Sequence, residues 1–456
     1  MSAQRAEGAA PAIPIVALDP ATYPAWLEGQ SATVRRWVKG TGFRAERLER
    51  CLVPGPDGAP ALVLVGVVAA ELYALASLPL WLPPGDYTLA PGPLALDSER
   101  AALGFALGAY QYGRYRRPRR EPARLLTPDG VDEARLRDLV AACSRVRDLV
   151  NTPSADCGPA ELAGVLRELA RQHGASLEEW SGDALLEANF PAIHAVGRAS
   201  PRAPRLLALE WGDPGAPRVA LVGKGVCFDT GGLDLKPADG MRMMKKDMGG
   251  AAHAIALAEL VMARRLPVRL QLLVAAVENA IGPDAYRPGD VLGTRAGLSV
   301  EVHNTDAEGR VILGDALCYA AEGKPDLVID FATLTGAARV ALGPDLPALF
   351  SNRAEFSDQL HQVSRREHDL VWPMPIWQGY ASYLDSSIAD LVNASNSRHA
   401  GAIVAALYLN RFVPEATPWL HLDLYAWNDT DRPGRPKGGE AQGLRSVFAF
   451  LRERYG

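Results

Sequence analysis

Hydrophobic positions follow two rhythms along this chain. Up to about residue 125, short apolar runs such as ALVLVGV and DYTLAPG sit among turn residues, with one helical period near Ser98–Tyr112. The longest apolar run, Ala61–Ala70, is broken by Glu71 and is too short to span a bilayer. It predicts a buried strand running into a helix. Prolines and arginines then interrupt the pattern over Gly113–Gly130, GRYRRPRREPARLLTPDG. From Val131 to about Val150, apolar residues recur at helical spacing.

Beyond NTPSADCGP, strands and helices alternate. LLALEW, VALVGKG, LQLLVAAVEN, VEVHNT and DLVIDFATL read as strands, and GGAAHAIALAELVMARR and VILGDALCYAAEG as helices. Near-continuous apolar strands separated by helices predict an α/β fold whose large domain has a mixed, mostly parallel central sheet flanked by helices. A smaller N-terminal α/β domain is expected over 1–125, a linker and interdomain helix over 126–150, and the large domain over 151–456. Sites in such sheets form at the carboxyl ends of the strands. The chain has no internal repeat and no low-complexity tract.

The length of 456 residues exceeds one ordinary core and suits two domains. A content of 48% hydrophobic and 22% charged residues is that of a soluble globular protein. Lys and Arg total 48 against 53 Asp and Glu, so a net charge of −5 gives no reason to expect nucleic acid. The six arginines of Gly113–Gly130 read as a solvated connection, because no aromatic platform repeats among them. Five scattered cysteines without a CxxC pair suggest neither a disulfide framework nor a thiolate zinc site, which fits a reducing cytoplasm. The N-terminus has no uninterrupted apolar core after a basic start and makes a poor secretion signal.

Chemistry concentrates in two polar stretches, GKGVCFDTGGLDLKPADGMRMMKKDMGG (Gly223–Gly250) and NTDAEGR (Asn304–Arg310). GKG does not make a phosphate loop, since the GxxxxGK[ST] spacing is absent. Glycines let the backbone turn tightly and approach a ligand, and carboxylates suit hard or borderline divalent cations. Four carboxylates converging from two loops would repel one another, and two dications would supply +4 against −4. Convergence is what such a site requires. The residue types alone leave a metal site and a set of surface carboxylates both open.

GKGVCFDTGG…LKP…MMKKDMGGAA followed by NTDAEGR resembles the leucyl (cytosol) aminopeptidase family of dinuclear metallopeptidases. RDLVNTPSADCGP, DFATLTGA and AGAIVAALYL…WLHLD extend the resemblance from about Val140 to the C-terminus. It makes 151–456 the catalytic domain and implies five metal ligands, Lys224, Asp229, Asp247, Asp306 and Glu308. Lys224, Asp229, Asp247 and Glu308 would hold the tighter ion. Asp229, Asp306 and Glu308, with the Asp306 carbonyl, would hold the more exchangeable one. The resemblance also implies Lys236 and Arg310 as catalytic groups, with bicarbonate on Arg310 as general base and a metal-activated water as nucleophile. Lysine ligates only as the neutral amine, so Lys224 must lose a proton it normally keeps to about pH 10, which arginine could not do. Arg310 keeps its charge and its planar fork, suited to an anion. Zn²⁺ or Mn²⁺, with Mg²⁺ possible at the exchangeable position, peptide substrates, a homohexamer and a cytoplasmic location complete the expectation.

Met244, Thr333, Leu334 and Gly336 match substrate-pocket positions. Where family members often read HLDIAG this chain reads HLDLYAWN, placing Tyr425 at a small-residue position and putting a simple leucine preference in doubt. His253 and His303 are expected to be structural, Cys227 to be packing, and Asp234, Asp239, Lys245 and Lys246 to face solvent or a neighbouring subunit. The competing classes are a dinuclear phosphoesterase, which needs a basic pocket, and a DNA-binding regulator, against which the net charge speaks.

Overall fold

The computed structural model describes residues 11–68 and 71–456, and these divide into two compact units. One runs through Ser144 and includes Asp429–Lys437; the other comprises Arg145–Asn428 and Gly438–Gly456. The excursion at 429–437 has no signature in the hydrophobic pattern. The helix Glu133–Asn151 carries the chain across the boundary at Ser144.

The first unit is built on five strands, β1 (Ile13–Leu18), β2 (Arg50–Pro54), β3 (Pro60–Gly66), β4 (Asp86–Leu89) and β5 (Arg124–Leu125), in the order β2-β3-β1-β4-β5. Successive side chains of a strand point to opposite faces, and both faces are covered here. Ile15, Ala17, Val63 and Val65 pack with Tyr87 and Phe105, whereas Val16, Leu18 and Leu64 pack with Leu27, Val38 and Phe43. Ala69 and Ala70, where the apolar run was expected to pass into a helix, lie outside the described residues. Glu71–Leu82 proceeds through tight turns instead of a helix, because Pro79, Pro83 and Pro84 deny helix propagation its donors. In the arginine-rich segment, Arg120 donates to the carbonyls of Leu80, Trp81 and Leu82.

The second unit is organised by an eight-stranded sheet. Its strands are β6 (Ser176–Ser181), β7 (Arg205–Trp211), β8 (Arg218–Asp229), β9 (Arg269–Asn279), β10 (Leu327–Ala332), β11 (Ala348–Ser351), β12 (Trp372–Pro373) and β13 (Trp419–Asp423). The order is β12-β11-β13-β10-β8-β9-β7-β6. The central four, β13-β10-β8-β9, are parallel, and β7, β6 and β11 run antiparallel to their inner neighbours. The link from β7 to β8 holds only GDPGAP, too short for the helical crossover that parallel neighbours require.

Two almost wholly buried helices cover the sheet at its centre. Gly249–Ala263 lies on one face, close enough that a Cβ on Gly223 would stand 2.6 Å from the Ala251 Cα. Glu308–Glu322 lies on the other, where Val311, Ile312 and Ala316 pack with Ala220, Val222, Leu273 and Ala275.

Candidate active site

The first ligand strand contains an irregularity that sequence periodicity misses. Lys224 and Asp229 are five residues apart, so a regular strand would send them to opposite faces. In β8, Val226 pairs with Val277 and Phe228 with Glu278, leaving Cys227 as an extra residue. This bulge restores the parity, and Lys224 and Asp229 both face the Glu308–Glu322 helix. Cys227 itself is buried, and its carbonyl accepts from the Ser154 hydroxyl at 2.7 Å.

NTDAEGR differs from the expected loop after a main-sheet strand. The preceding strand, Ser299–Glu301, belongs to a separate three-stranded sheet with Val291–Gly293 and Leu391–Val392. Thr305–Ala307 is a short 3₁₀ turn, and Glu308, Gly309 and Arg310 already form the first helical turn. The Asn304 side chain caps the turn by accepting from the Asp306 N–H at 2.8 Å. An acid at a helix start is favoured by the positive end of the helix dipole.

The predicted residues converge. Single carboxylate oxygens of Asp229, Asp306 and Glu308 lie within 4.8 Å of one another. Lys224 Nζ stands 2.8 Å from Asp247 Oδ2 and 2.9 Å from Glu308 Oε1, and donates to the Thr333 carbonyl at 2.9 Å. Lys236 Nζ is 2.8 Å from Asp229 Oδ2 and pairs with Asp306 Oδ1. A Cβ on Gly309 would stand 2.5 Å from Lys224 Cε, so any larger residue there would have to shift the lysine. Arg310 is buried beside the cluster, not in it, and donates from Nη1 to the Asn393 carbonyl at 2.9 Å.

Electrostatics show what this cluster lacks. Burial and then Asp229 push the Glu308 carboxyl well above the usual carboxylate range, and the same two causes push Asp306 up. Burial opposes charge on Lys224, yet Asp247, Glu308 and Asp229 hold its ammonium above the ordinary value. Four carboxylates against two lysines therefore leave acids that stay ionised only with further positive charge nearby. An oxygen-rich donor set of this kind fits hard or borderline divalent cations.

Several supporting residues were not anticipated. Asn279, at the end of β9, donates to Asp229 Oδ1 at 2.8 Å and to the Thr305 carbonyl at 3.0 Å. The Tyr286 hydroxyl donates to the same carbonyl at 2.6 Å. The Asn393 side chain accepts from the His303 and Asn304 N–H groups and donates to the Asn304 carbonyl, while its backbone carbonyl accepts from Arg310, so one buried residue holds both the acid turn and Arg310. Polar residues at strand ends were the available signal, but only the fold brings Asn279 and Asn393 here.

Of the expected pocket positions, Thr333 lies against the deep lysine, its carbonyl accepting from Lys224 Nζ. The Thr333 hydroxyl donates to Asp247 at 2.9 Å, Leu334 donates its N–H to Asp423, Met244 begins a short 3₁₀ turn, and Gly336 starts an exposed helix. Tyr425 is half-buried beneath two cations, Lys246 and Arg339. Three residues expected to face outward do not simply do so; Lys245, partly buried, donates to the Asn151 carbonyl at 2.6 Å. Asp234, on an exposed stretch, accepts from the Thr305 N–H at 2.7 Å. Lys246 is only 6% exposed, and burial pushes it down to about 8. His253 is buried with both ring nitrogens engaged, to the Gly249 carbonyl and the Gln442 N–H, and His303 pairs with Glu301.

Known proteins share this chain's fold. Residues 144–448 match the model of the cytosol aminopeptidase family catalytic domain, and residues 13–128 match the M17 aminopeptidase N-terminal domain. A crystal structure of cytosol aminopeptidase from Coxiella burnetii superposes with a TM-score of 0.95 at 48% identity, covering 99% of each chain. The bottromycin maturation enzyme BotP in complex with Mn gives 0.87 at 33% identity, over 97% of this chain and 99% of that one. A Rhodococcus opacus relative described as "Probable cytosol aminopeptidase" is 37% identical over 446 residues, 91% of this chain and 87% of its own. The chain belongs to the cytosol aminopeptidase family.

Proposed function

We propose that this metalloaminopeptidase removes N-terminal residues from peptides with two divalent cations per chain, Zn²⁺ or Mn²⁺, and bicarbonate as general base. The observation that carries the reading is the meeting of Asp229, Asp306 and Glu308 oxygens within 4.8 Å, with Asp247 joined through Lys224. Lys224, Asp229, Asp247 and Glu308 would hold one ion, and Asp229, Asp306 and Glu308 the other. The ions, when bound, neutralise the acids and supply Lewis-acid activation of water and of the scissile carbonyl.

The chain's own groups divide the remaining work. Asn279 fixes the orientation of Asp229 by donating to one of its oxygens. Lys236, beside Asp229 and Asp306, stabilises negative charge developing on the carbonyl. Arg310, buried and tied to Asn393, would hold a planar anion with its remaining donors, and that anion would supply the general base. Catalysis is assigned to 151–456, with 126–150 as the connection and 1–125 as the N-terminal domain. The chain is proposed to work in the cytoplasm as a homohexamer. No helix among the described residues is long and apolar enough to cross a membrane.

Metal-stripped protein should hydrolyse aminoacyl-p-nitroanilides only after Zn²⁺, Mn²⁺ or Mg²⁺ is added back, with two ions bound per chain at saturation. Silence across both that panel and a dipeptide panel would refute the reading.

A further inference from the structure

Lys246 lies next in sequence to Asp247 but takes no part in the acid cluster. It is 6% exposed, and among the described residues no carboxylate pairs with its Nζ and no acceptor receives a hydrogen bond from it. Its polar neighbour is the face of Tyr425, with Nζ 4.8 Å from the ring centroid. Arg339 lies over the same ring, its Cζ 4.7 Å from the centroid. Asp247 and Asp423 attract this ammonium without pairing with it; a buried cation with no paired carboxylate is costly, and an aromatic face recovers only part of that cost.

The surroundings indicate what would complete the pair. Met244 lies two residues before Lys246 in the same short turn, Thr333 is bonded to Asp247, and Gly336 has open space where a side chain would project. We propose that Lys246 and Arg339, held over Tyr425, make the pocket for the substrate's N-terminal side chain selective for a carboxylate, so that peptides beginning with glutamate or aspartate are preferred over neutral isosteres. A side-chain carboxylate supplies the missing counter-ion through charge-assisted hydrogen bonds. A neutral amide supplies only a dipole, and an N-terminal lysine meets like charge. The inference rests on the aminopeptidase reading above and names its substrate class.

The test compares kcat/KM for glutamyl-, glutaminyl-, leucyl- and lysyl-p-nitroanilide on the metal-loaded enzyme, in wild type, Lys246→Met and Arg339→Met. Wild type should favour glutamyl over glutaminyl substrate by at least about tenfold. That ratio should fall to near one in Lys246→Met, with two ions still bound per chain, and fall part of the way in Arg339→Met. In parallel, free glutamate should raise the melting midpoint of metal-loaded wild type more than glutamine does, and Lys246→Met should lose that difference. Equal turnover of the glutamyl and glutaminyl substrates by wild type, or an unchanged ratio in Lys246→Met, would overturn the proposal. If Lys246→Met does not fold, the exposed Arg339→Met decides, and an unchanged ratio there overturns it. No turnover of any substrate would sink the function reading instead, and the glutamate-against-glutamine shift would still decide the pocket.

Discussion

The candidate site has a deep half and a mouth, built from the same residue types to different effect. In the deep half, the side chains of Lys224, Asp247 and Glu308 are 3%, 5% and 2% exposed, and a strand, a 3₁₀ turn and a helix start hold them from three sides. At the mouth, Lys236 lies on a loop and is 16% exposed, and Asp306 is 31% exposed. Burial strengthens every charge interaction and removes the freedom to rearrange. The deep half is thus suited to an ion that stays, and the mouth to one that exchanges and to groups that must meet substrate.

The largest expected effect comes from a residue that would hold both ions. Glu308→Gln should lower the bound metal from two ions to one or none and abolish turnover, as read by elemental analysis alongside leucyl-p-nitroanilide hydrolysis. Full metal content with activity retained would remove Glu308 from the centre of the site. Lys236→Ala and Arg310→Ala should each lower kcat by about 10²–10³-fold with two ions still bound. Wild-type turnover in either variant would end its catalytic assignment.

A smaller difference should separate the halves directly. Asp306→Asn should weaken one ion on the order of 10- to 100-fold and leave the other tight, whereas Asp247→Asn should loosen the tighter ion. Metal titration under competing chelator reads both, and identical effects would erase the distinction between the halves. Gly309→Ala tests the packing beneath the chemistry. Its methyl must displace Lys224, at a cost of about 1–3 kcal/mol in denaturant unfolding, and an unchanged midpoint would mean that the lysine has another path.

The smallest effect concerns the support of the deep half by pH. His253 donates from Nδ1 to the Gly249 carbonyl and accepts at Nε2 from Gln442, so the buried ring is neutral. Burial lowers it from 6.5 to about 4. The unfolded chain therefore takes up a proton first as pH falls. The contribution of His253 is complete above pH 6.5 and is lost between there and about pH 4, with a slope of at most about 1.4 kcal/mol per pH unit. Unfolding midpoints across that window should fall less steeply in His253→Gln, and parallel slopes would exclude the ring as the source.

Much of this was legible from residue order. Alternating apolar strands and helices gave the layered sheet, and the family resemblance of the glycine-rich and acidic motifs picked out six chemical residues that the fold brings together, with Arg310 beside them. What escaped were properties of pairing, not of composition. Antiparallel β6, β7 and β11 are set by connection length and partner choice. The acid turn follows a strand of a small separate sheet, because VEVHNT reads equally well for either sheet. Asn279 and Asn393 lie far from the motifs in sequence and act only through tertiary contact. Lys246 reads as one more surface lysine in MMKKDMGG, and only the fold shows it buried against Tyr425 while Lys245 bonds the Asn151 carbonyl.

The extra residue in β8 makes this active site depend on counting as well as on identity. Replacing Cys227 by another small residue leaves every ligand where it is. Deleting it leaves every ligand in the sequence, yet it would turn Asp229 through the sheet, away from Glu308 and towards the Gly249–Ala263 helix. A roster of the ligand acids would pronounce such a chain intact. The position is indispensable even though the residue filling it has no chemical part to play.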